Sequence, residues 1–317
     1  IYATLAVSHP YPLDYGEAPL VDQAMRLADG QNIYRPALSS PPYTISNYPP
    51  LYVLTLVPTV WLFGPTFWAG RVISLLCALA SATFLALIIY TYTQDRIAAG
   101  LTGMLFLAIP YVVHWSSLLR VDLLALALSL AGLYVLIRWP AARLSTIVGA
   151  LLLVAAIYTR QSYALAAPLA ALIWLCAHNW RQAIVLAALV GGLTLALFLV
   201  LNVITRGGFY FNIVTANVNE FGMERLEWNL RRLRDTLPYL LFMGAISLVF
   251  APTVRVRLWP LLVSYLVGAS LSTLTIGKIG SNGNYFLEVS AALSLAAGVL
   301  LSWGRGCSWL RVIFIVL

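Results

Sequence analysis

The residues of this chain that could do chemistry fall into four short groups, each at the edge of an apolar run. The first is Pro12-Leu13-Asp14-Tyr15-Gly16-Glu17. A carboxylate at Asp14 or Glu17 could take a proton as a general base. The same pair could instead begin a helix, Asp14 as its N-cap and Glu17 in its first turn, where the dipole favours an acid. The second group is Arg120-Val121-Asp122, at the entrance to an apolar span, where charges are costly and are usually paired or functional. Arg120 could also simply extend its head group toward water. The third is Thr159-Arg160-Gln161-Ser162, between two apolar runs. The forked donors of Arg160 suit a phosphate, and an ordinary tight turn is the plainer alternative. The fourth runs from Lys278, the only lysine in the chain, through Gly280-Ser281-Asn282-Gly283-Asn284-Tyr285 to Glu288. Glycine and asparagine permit a tight backbone path there, and the amides can bind sugar hydroxyls. Glu288 stands just inside the next apolar run, a position that marks an ionisable group as a functional candidate; pairing with Lys278 or an arginine is the structural alternative. Arg71 opens a further apolar run after Gly64 and Gly70, and could pair with a first-loop acid or face a lipid phosphate.

The elements that must position these groups are membrane-spanning helices. Of the 317 residues, 61% are hydrophobic and 9% charged, against about 25% charged in a soluble domain. Too few charges are present to cover a water-facing surface, so lipid must solvate most of the exterior. Apolar runs cover residues 71–92, 97–113, 123–137, 146–158, 163–177, 183–205, 237–251, 258–276 and 287–303. With the tail of a helix over 1–7 and a span beginning near Trp309, they predict an all-α polytopic membrane protein with about ten to eleven spans. Leu51 to Phe63 is apolar but short, contains Pro58 and ends at Gly64-Pro65, so it is expected to lie in the interface. The short basic loops (Asp95/Arg96, Arg138/Arg143, His178/Arg181, Arg255/Arg257, Arg305/Arg311) are then cytoplasmic. The other side holds a first loop over 8–70, a second long loop over 206–236, and all four groups above. Nearly every acid lies on that side. Residues 17–27 and 220–234 read as amphipathic surface helices, the latter with charges of alternating sign.

The net charge of +8 does not point to nucleic acid, because the basic residues are dispersed between apolar segments as topology signals. Cys77, Cys176 and Cys307 form no Cys-x-x-Cys pair and are expected to be small buried hydrophobes. His114 and His178 are isolated and the first loop has no Asp-x-Asp pair, so nothing in the sequence calls for a metal. The chain is read as a single transmembrane domain over 1–317. Its opening at Ile1 in mid-helix and its apolar close over 312–317 read as a piece of a longer chain. No internal repeat is evident, which speaks against a transporter built from inverted repeats.

In order and side, these landmarks resemble the GT-C superfamily of membrane glycosyltransferases, most closely its bacterial branch near protein O-mannosyltransferases and aminoarabinose transferases. The landmarks are Asp14-Tyr15-Gly16-Glu17, then Ala24 to Gly30 with Tyr34, and Tyr48-Pro49-Pro50-Leu51-Tyr52. Leu62-Phe63-Gly64 with Arg71, Arg120-Val121-Asp122, Thr159-Arg160-Gln161 and Asn282 to Glu288 follow. Tyr48 stands where aminoarabinose transferases commonly carry Lys or Arg. The resemblance implies a sugar donor on a polyprenyl phosphate in the cytoplasmic membrane, with an extracytoplasmic site and no bound cofactor. It implies Asp14 as base with Glu17 in reserve, and Arg71, Arg160 and Lys278 at the donor phosphate. Arg120, Asp122, Asn284, Tyr285 and Glu288 would line the sugar or acceptor pocket. Two other functions fit the same landmarks: a catalytically silent subunit of a larger membrane complex, and a transporter of a lipid-linked sugar. The latter would want ionisable groups near mid-span, whereas here they stand at loop–helix junctions.

Overall fold

The structure, a computed structural model, describes residues 2–250 and 258–304. The pairs Arg255/Arg257 and Arg305/Arg311, Cys307 and the span expected near Trp309 lie outside the described residues. Fifteen α-helices follow one another: α1 (Tyr2–Ser8), α2 (Glu17–Ala28), α3 (Leu51–Phe63), α4 (Trp68–Thr93), α5 (Arg96–Ala108) and α6 (Pro110–Ser116). Then come α7 (Asp122–Arg138), α8 (Arg143–Thr159), α9 (Ala166–His178), α10 (Trp180–Ile204) and α11 (Gly208–Ile213). The last four are α12 (Met223–Thr236), α13 (Pro238–Phe250), α14 (Trp259–Thr273) and α15 (Phe286–Gly304). Among the described residues there is no strand, only an isolated antiparallel bridge between Phe221 and Lys278.

Local chemistry sets several boundaries. The Asp95 carboxylate accepts hydrogen bonds from the Ile97 and Ala98 amides and so starts α5. Pro110 has no amide hydrogen to continue that helix. The single span expected over 97–113 is therefore two helices, α5 and α6, meeting at 67°. The α3 helix ends at Gly64, whose φ of +74° is a conformation that a β-carbon would oppose.

Five helical stretches are long and apolar enough to cross a membrane, or six if the bent pair counts as one. The helices Leu51–Phe63, Arg143–Thr159 and Pro238–Val249 are apolar but shorter, so not every span expected from the sequence has a helix of crossing length. α7 packs between α4 and α8, α5 packs on α4 and α15, α9 on α14, and α13 on α15. α15 is central, with 78% of its apolar window buried, whereas α10 has 6% and turns its apolar side chains outward, as a lipid-facing helix does. Cys77 is half-buried, but Cys176, expected to be buried, is exposed; it lies on the outward face of α9 with Ile173, while Trp174 and Leu175 beside it are buried.

A second, smaller core holds the long first loop in place. Leu20, Val21 and Ala24 of α2 and Tyr52, Val53 and Leu56 of α3 pack on Leu119, Val121, Val154, Ile157, Tyr158 and Phe209. The Tyr34 hydroxyl donates to the Tyr48 carbonyl at 2.8 Å, and the Asn212 amide donates to the Arg35 carbonyl at 2.8 Å. A folded lid thus sits on the ends of the helices, and the polar groups lie in the seam between lid and bundle.

Candidate active site

Glu17 is fully buried at the start of α2 and faces Arg71, fully buried at the start of α4. Its carboxylate accepts from Arg71 Nε at 2.9 Å and Nη2 at 2.7 Å. It also accepts from the Leu119 amide at 2.7 Å and the Leu13 amide at 2.6 Å. Burial opposes its ionisation, but the Arg71 hydrogen bond, the two amides and the arginine charge together hold its carboxyl below the ordinary carboxylate range. Arg71 donates further to the carbonyls of Ala6, His9 and Tyr11, at 2.8, 2.6 and 2.7 Å. Those bonds use all five N–H groups of a guanidinium. Arg71 and Glu17, expected at the donor phosphate and as the reserve base, are thus committed to tying α1, the lid and α4 together.

Asp14 is placed differently. Its Oδ1 accepts from the Gly16 amide at 2.9 Å, a turn that leads into α2, and from Arg120 Nη1 at 2.9 Å. Asp14 is therefore not the N-cap of α2, which is Gly16 with no side-chain cap; its carboxylate closes the turn before the helix and pairs with a buried cation. Its Oδ2 has no hydrogen-bond partner among the described residues. Arg120 also donates from Nη2 to the Tyr48 hydroxyl at 3.2 Å, and its Nε lies 3.6 Å from Asp122 Oδ2. The guanidinium stands over the rings of Trp115 and Tyr15, at 5.2 and 5.8 Å. Asp122 Oδ1 in turn accepts from Arg160 and, at 3.0 Å, from Asn284. Arg160 lies over the Tyr285 ring at 4.4 Å. The result is an alternating ladder, Asp14–Arg120–Asp122–Arg160, in which one cation bridges two acids and the ring of Tyr285 closes the end. Asn284 Oδ1 is buried without a hydrogen-bond partner, and Arg120 Nε and Asp122 Oδ2, though ion-paired at 3.6 Å, are buried without a hydrogen bond. Such orphaned atoms are costly unless something else, water or ligand, meets them.

The ladder depends on residues that motif reasoning did not select. A β-carbon on Gly16 would lie 1.7 Å from Arg120 Nη1, so only glycine lets the guanidinium through to Asp14. Tyr48, which opens the Tyr48-Pro49-Pro50 landmark with no role expected in the site, supplies a hydroxyl to Arg120. Burial pushes its phenol up, so the partner of Arg120 stays neutral. Gly16 had one sequence signal, its place between two acids; Trp115 had none.

Two of the expected residues stand apart. Glu288 is buried on α15 with Oε1 unpartnered, close enough to feel the charge of Arg160. The unpartnered hydroxyls of Tyr265 and Ser290 are also buried. Glu288 pairs with neither Lys278 nor an arginine among the described residues. Lys278 forms the bridge to Phe221, fixed by amides donating from Gly222 to Gly277 and from Ile279 to Glu220, both at 2.9 Å. Its ammonium makes no ion pair among the described residues. A cleft of ≈ 440 Å³ opens beside the ladder, and Arg120 is the ladder residue on its wall. No three His, Cys, Asp or Glu side chains gather as a metal site would need among the described residues.

The chain is a many-helix bundle with helices of membrane-crossing length, a folded first-loop lid and a charged seam beneath it. The chain is similar to the crystal structure of ArnT from Cupriavidus metallidurans bound to undecaprenyl phosphate, with a TM-score of 0.72 and 16% identity over 96% of this chain and 60% of that one. The apo state of the same ArnT matches with a TM-score of 0.71 and 15% identity, over 96% and 59%. The archaeal oligosaccharyltransferase AglB from Archaeoglobus fulgidus, in complex with an inhibitory peptide and a dolichol-phosphate, matches with a TM-score of 0.54 and 11% identity, over 100% and 51%. The chain thus spans some 60% of ArnT, and at these identities the likeness is one of fold. No protein-family profile and no curated protein matches the sequence.

Proposed function

We propose that the protein transfers a sugar from a polyprenyl-phosphate donor to an acceptor, at the extracytoplasmic face of the cytoplasmic membrane, with Asp14 as general base. The observation that carries this is the Asp14–Arg120–Asp122–Arg160 ladder, half-open to a cleft, in a fold shared with proteins whose structures hold undecaprenyl phosphate and a dolichol-phosphate. Three buried charges and a half-buried Asp14 at one seam exceed what holding a turn requires, and one acid oxygen in it, Asp14 Oδ2, is left free to act.

In this mechanism Asp14 Oδ2 takes the proton from the acceptor's hydroxyl or amine as that atom attacks the anomeric carbon. The new bond forms on the face opposite the phosphate, so the configuration inverts. The bond from the anomeric carbon to the phosphate oxygen breaks, its electron pair leaves on the polyprenyl phosphate, and Asp14 later returns its proton to water. Arg160 stabilises the departing phosphate, whose added charge is what a fixed cation favours in the transition state. Asp122 holds both arginines, and Asn284 and Tyr285, which contact the ladder, face the donor sugar from the bundle side. Arg71 and Glu17 position the lid and touch no substrate.

The test is transfer from radiolabelled polyprenyl-phosphate sugars in membranes carrying the full-length protein. The expected result is transfer by the wild type and none by Asp14→Asn, with undecaprenyl phosphate binding retained in both. Donor binding without transfer by the wild type, across donors and acceptors, would favour the silent subunit.

A further inference from the structure

The cleft beside the ladder has a chemistry that the ladder does not explain. Its wall is built from lid and loop segments: α2, residues 44–48, residues 216–219 and Gly280, with Arg120 at the base. None of these residues belongs to a helix of membrane-crossing length. Four of the lining side chains are carboxamides: Asn217, whose amide donates to the Asn47, Asn212 and Ile213 carbonyls, and three from separate segments, Gln23 of α2, Asn47 before α3 and Asn219 of the second long loop. None of the three makes a side-chain hydrogen bond among the described residues. Gln23 is 5% exposed with Oε1 buried and unpartnered. A buried amide oxygen left without a donor is costly, so its persistence on a cleft wall signals a donor supplied from outside.

The remaining wall sharpens the chemistry. No Asp or Glu lines the cleft, and Arg120 is its one cation, already paired with Asp14. Tyr15 stands exposed at the rim, its hydroxyl donating to the Gly280 carbonyl at 3.3 Å, so its ring face is presented while its polar end is satisfied. Carboxamides both donate and accept, which matches a hydroxyl group, itself both donor and acceptor. An aromatic face offers an apolar platform to the C–H face of a pyranose ring. A cleft of ≈ 440 Å³ is within the range of small-ligand sites, about 300–1,000 Å³.

We propose that this cleft is the acceptor subsite and that its ligand is an uncharged, polyhydroxylated saccharide, which Gln23, Asn47 and Asn219 engage by hydrogen bonds and Tyr15 by stacking. This rests on the glycosyl-transfer function above: it supplies the acceptor whose hydroxyl reaches Asp14 from the water side, opposite the bundle face assigned to the donor.

The experiment is saturation-transfer NMR on the full-length protein in nanodiscs, with mannotriose, the capped tripeptide acetyl-Ala-Ser-Ala-amide and undecaprenyl phosphate as separate probes. Mannotriose is expected to bind and the tripeptide not. Gln23→Leu and Asn219→Ala should each weaken mannotriose roughly fivefold, the effect of one neutral hydrogen bond, and leave undecaprenyl phosphate binding unchanged. Asn219 is exposed on a loop, so its variant keeps the test valid if Gln23→Leu does not fold. Saturation of the tripeptide alone, mannotriose binding indifferent to both variants, or no mannotriose signal at tens of millimolar each overturn the proposal. Variant-sensitive mannotriose binding by a protein that transfers no sugar would leave the subsite standing and sink the transferase instead.

Discussion

Gly16→Ala isolates the ladder, because it changes one methyl group at the only gap through which Arg120 reaches Asp14. The backbone at Gly16 has φ −85° and ψ −10°, which alanine adopts without strain, so any cost is steric. The added Cβ would lie 1.7 Å from Arg120 Nη1, 2.9 Å from Cζ and 3.0 Å from Asp14 Oδ1. The guanidinium must leave, giving up its bonds to Asp14 and Tyr48. Bonds to a charged group contribute about 1.5–3 kcal/mol each, and breaking a buried pair costs about 3–5 kcal/mol in all. The side chains of Arg120 and Asp14 are 4% and 12% exposed, so solvent screening removes little of this. A loss of about 3 kcal/mol is expected, a Tm lower by roughly 6–12 °C for a chain of this size. Sugar transfer should fall with it, since Asp14 loses the contact that orients it. The assay is thermal unfolding of the purified protein in detergent, with transfer measured on the folded fraction. Gly100→Ala is the control: it has no atom within 4 Å of the new Cβ and lies inside α5, where alanine is favoured. If Gly16→Ala is as stable and as active as Gly100→Ala, the reasoning about the ladder is wrong.

Other outcomes follow from the same contacts. Glu17→Gln leaves the fully buried Arg71 without its counter-charge and should cost about 3–5 kcal/mol in unfolding free energy. The Glu17 carboxyl is held below 4.5 in the folded chain; its stabilisation is complete above that value and is lost as pH falls through the folded-state value below it. A pH series of unfolding midpoints should therefore drop on the acid side in the wild type and show a shallower drop in Glu17→Gln. Asp122→Asn removes the acid shared by Arg120 and Arg160 and should lower both stability and donor turnover, read by Tm and by initial transfer rate, whereas Asp22→Asn, an exposed partner of Arg26, should change stability by less than about 1 kcal/mol. Gly208→Ala drives a Cβ to 1.9 Å from the Tyr34 carbonyl and should loosen the lid, seen as faster limited proteolysis within 30–50 with the bundle intact.

The helices were legible because lipid leaves a plain record: apolar runs of crossing length, basic residues between them, and a short apolar stretch over Leu51–Phe63 that folds as a helix with those same bounds. The amphipathic helices α2 and α12 were legible for the same local reasons, whereas the break at Pro110 was not: residues 97–113 read as one apolar run, and the structure bends there by 67°. The site was legible as a list but not as an arrangement. Asp14, Arg120, Asp122, Arg160 and Asn284 do meet, yet nothing local shows that Arg120 would lie between two acids 108 positions apart in Asp14 and Asp122. Nor does spacing show that Arg71 would turn inward to Glu17, because which arginine faces a substrate depends on which carbonyls surround it in three dimensions. Gly16 and Gln23 matter through what they leave open or unpaired, and such a property exists only once the lid is folded on the bundle.

The central claim is that Asp14, and not Glu17, takes the acceptor's proton. Single-turnover transfer from a polyprenyl-phosphate sugar, compared on the folded fractions of Asp14→Asn and Glu17→Gln, tests it directly. The account predicts that Asp14→Asn slows the chemical step by at least roughly 100-fold, the scale of a lost general base, while folded Glu17→Gln turns over near the wild-type rate. A dead Glu17→Gln beside an active Asp14→Asn would contradict it and move the base to Glu17.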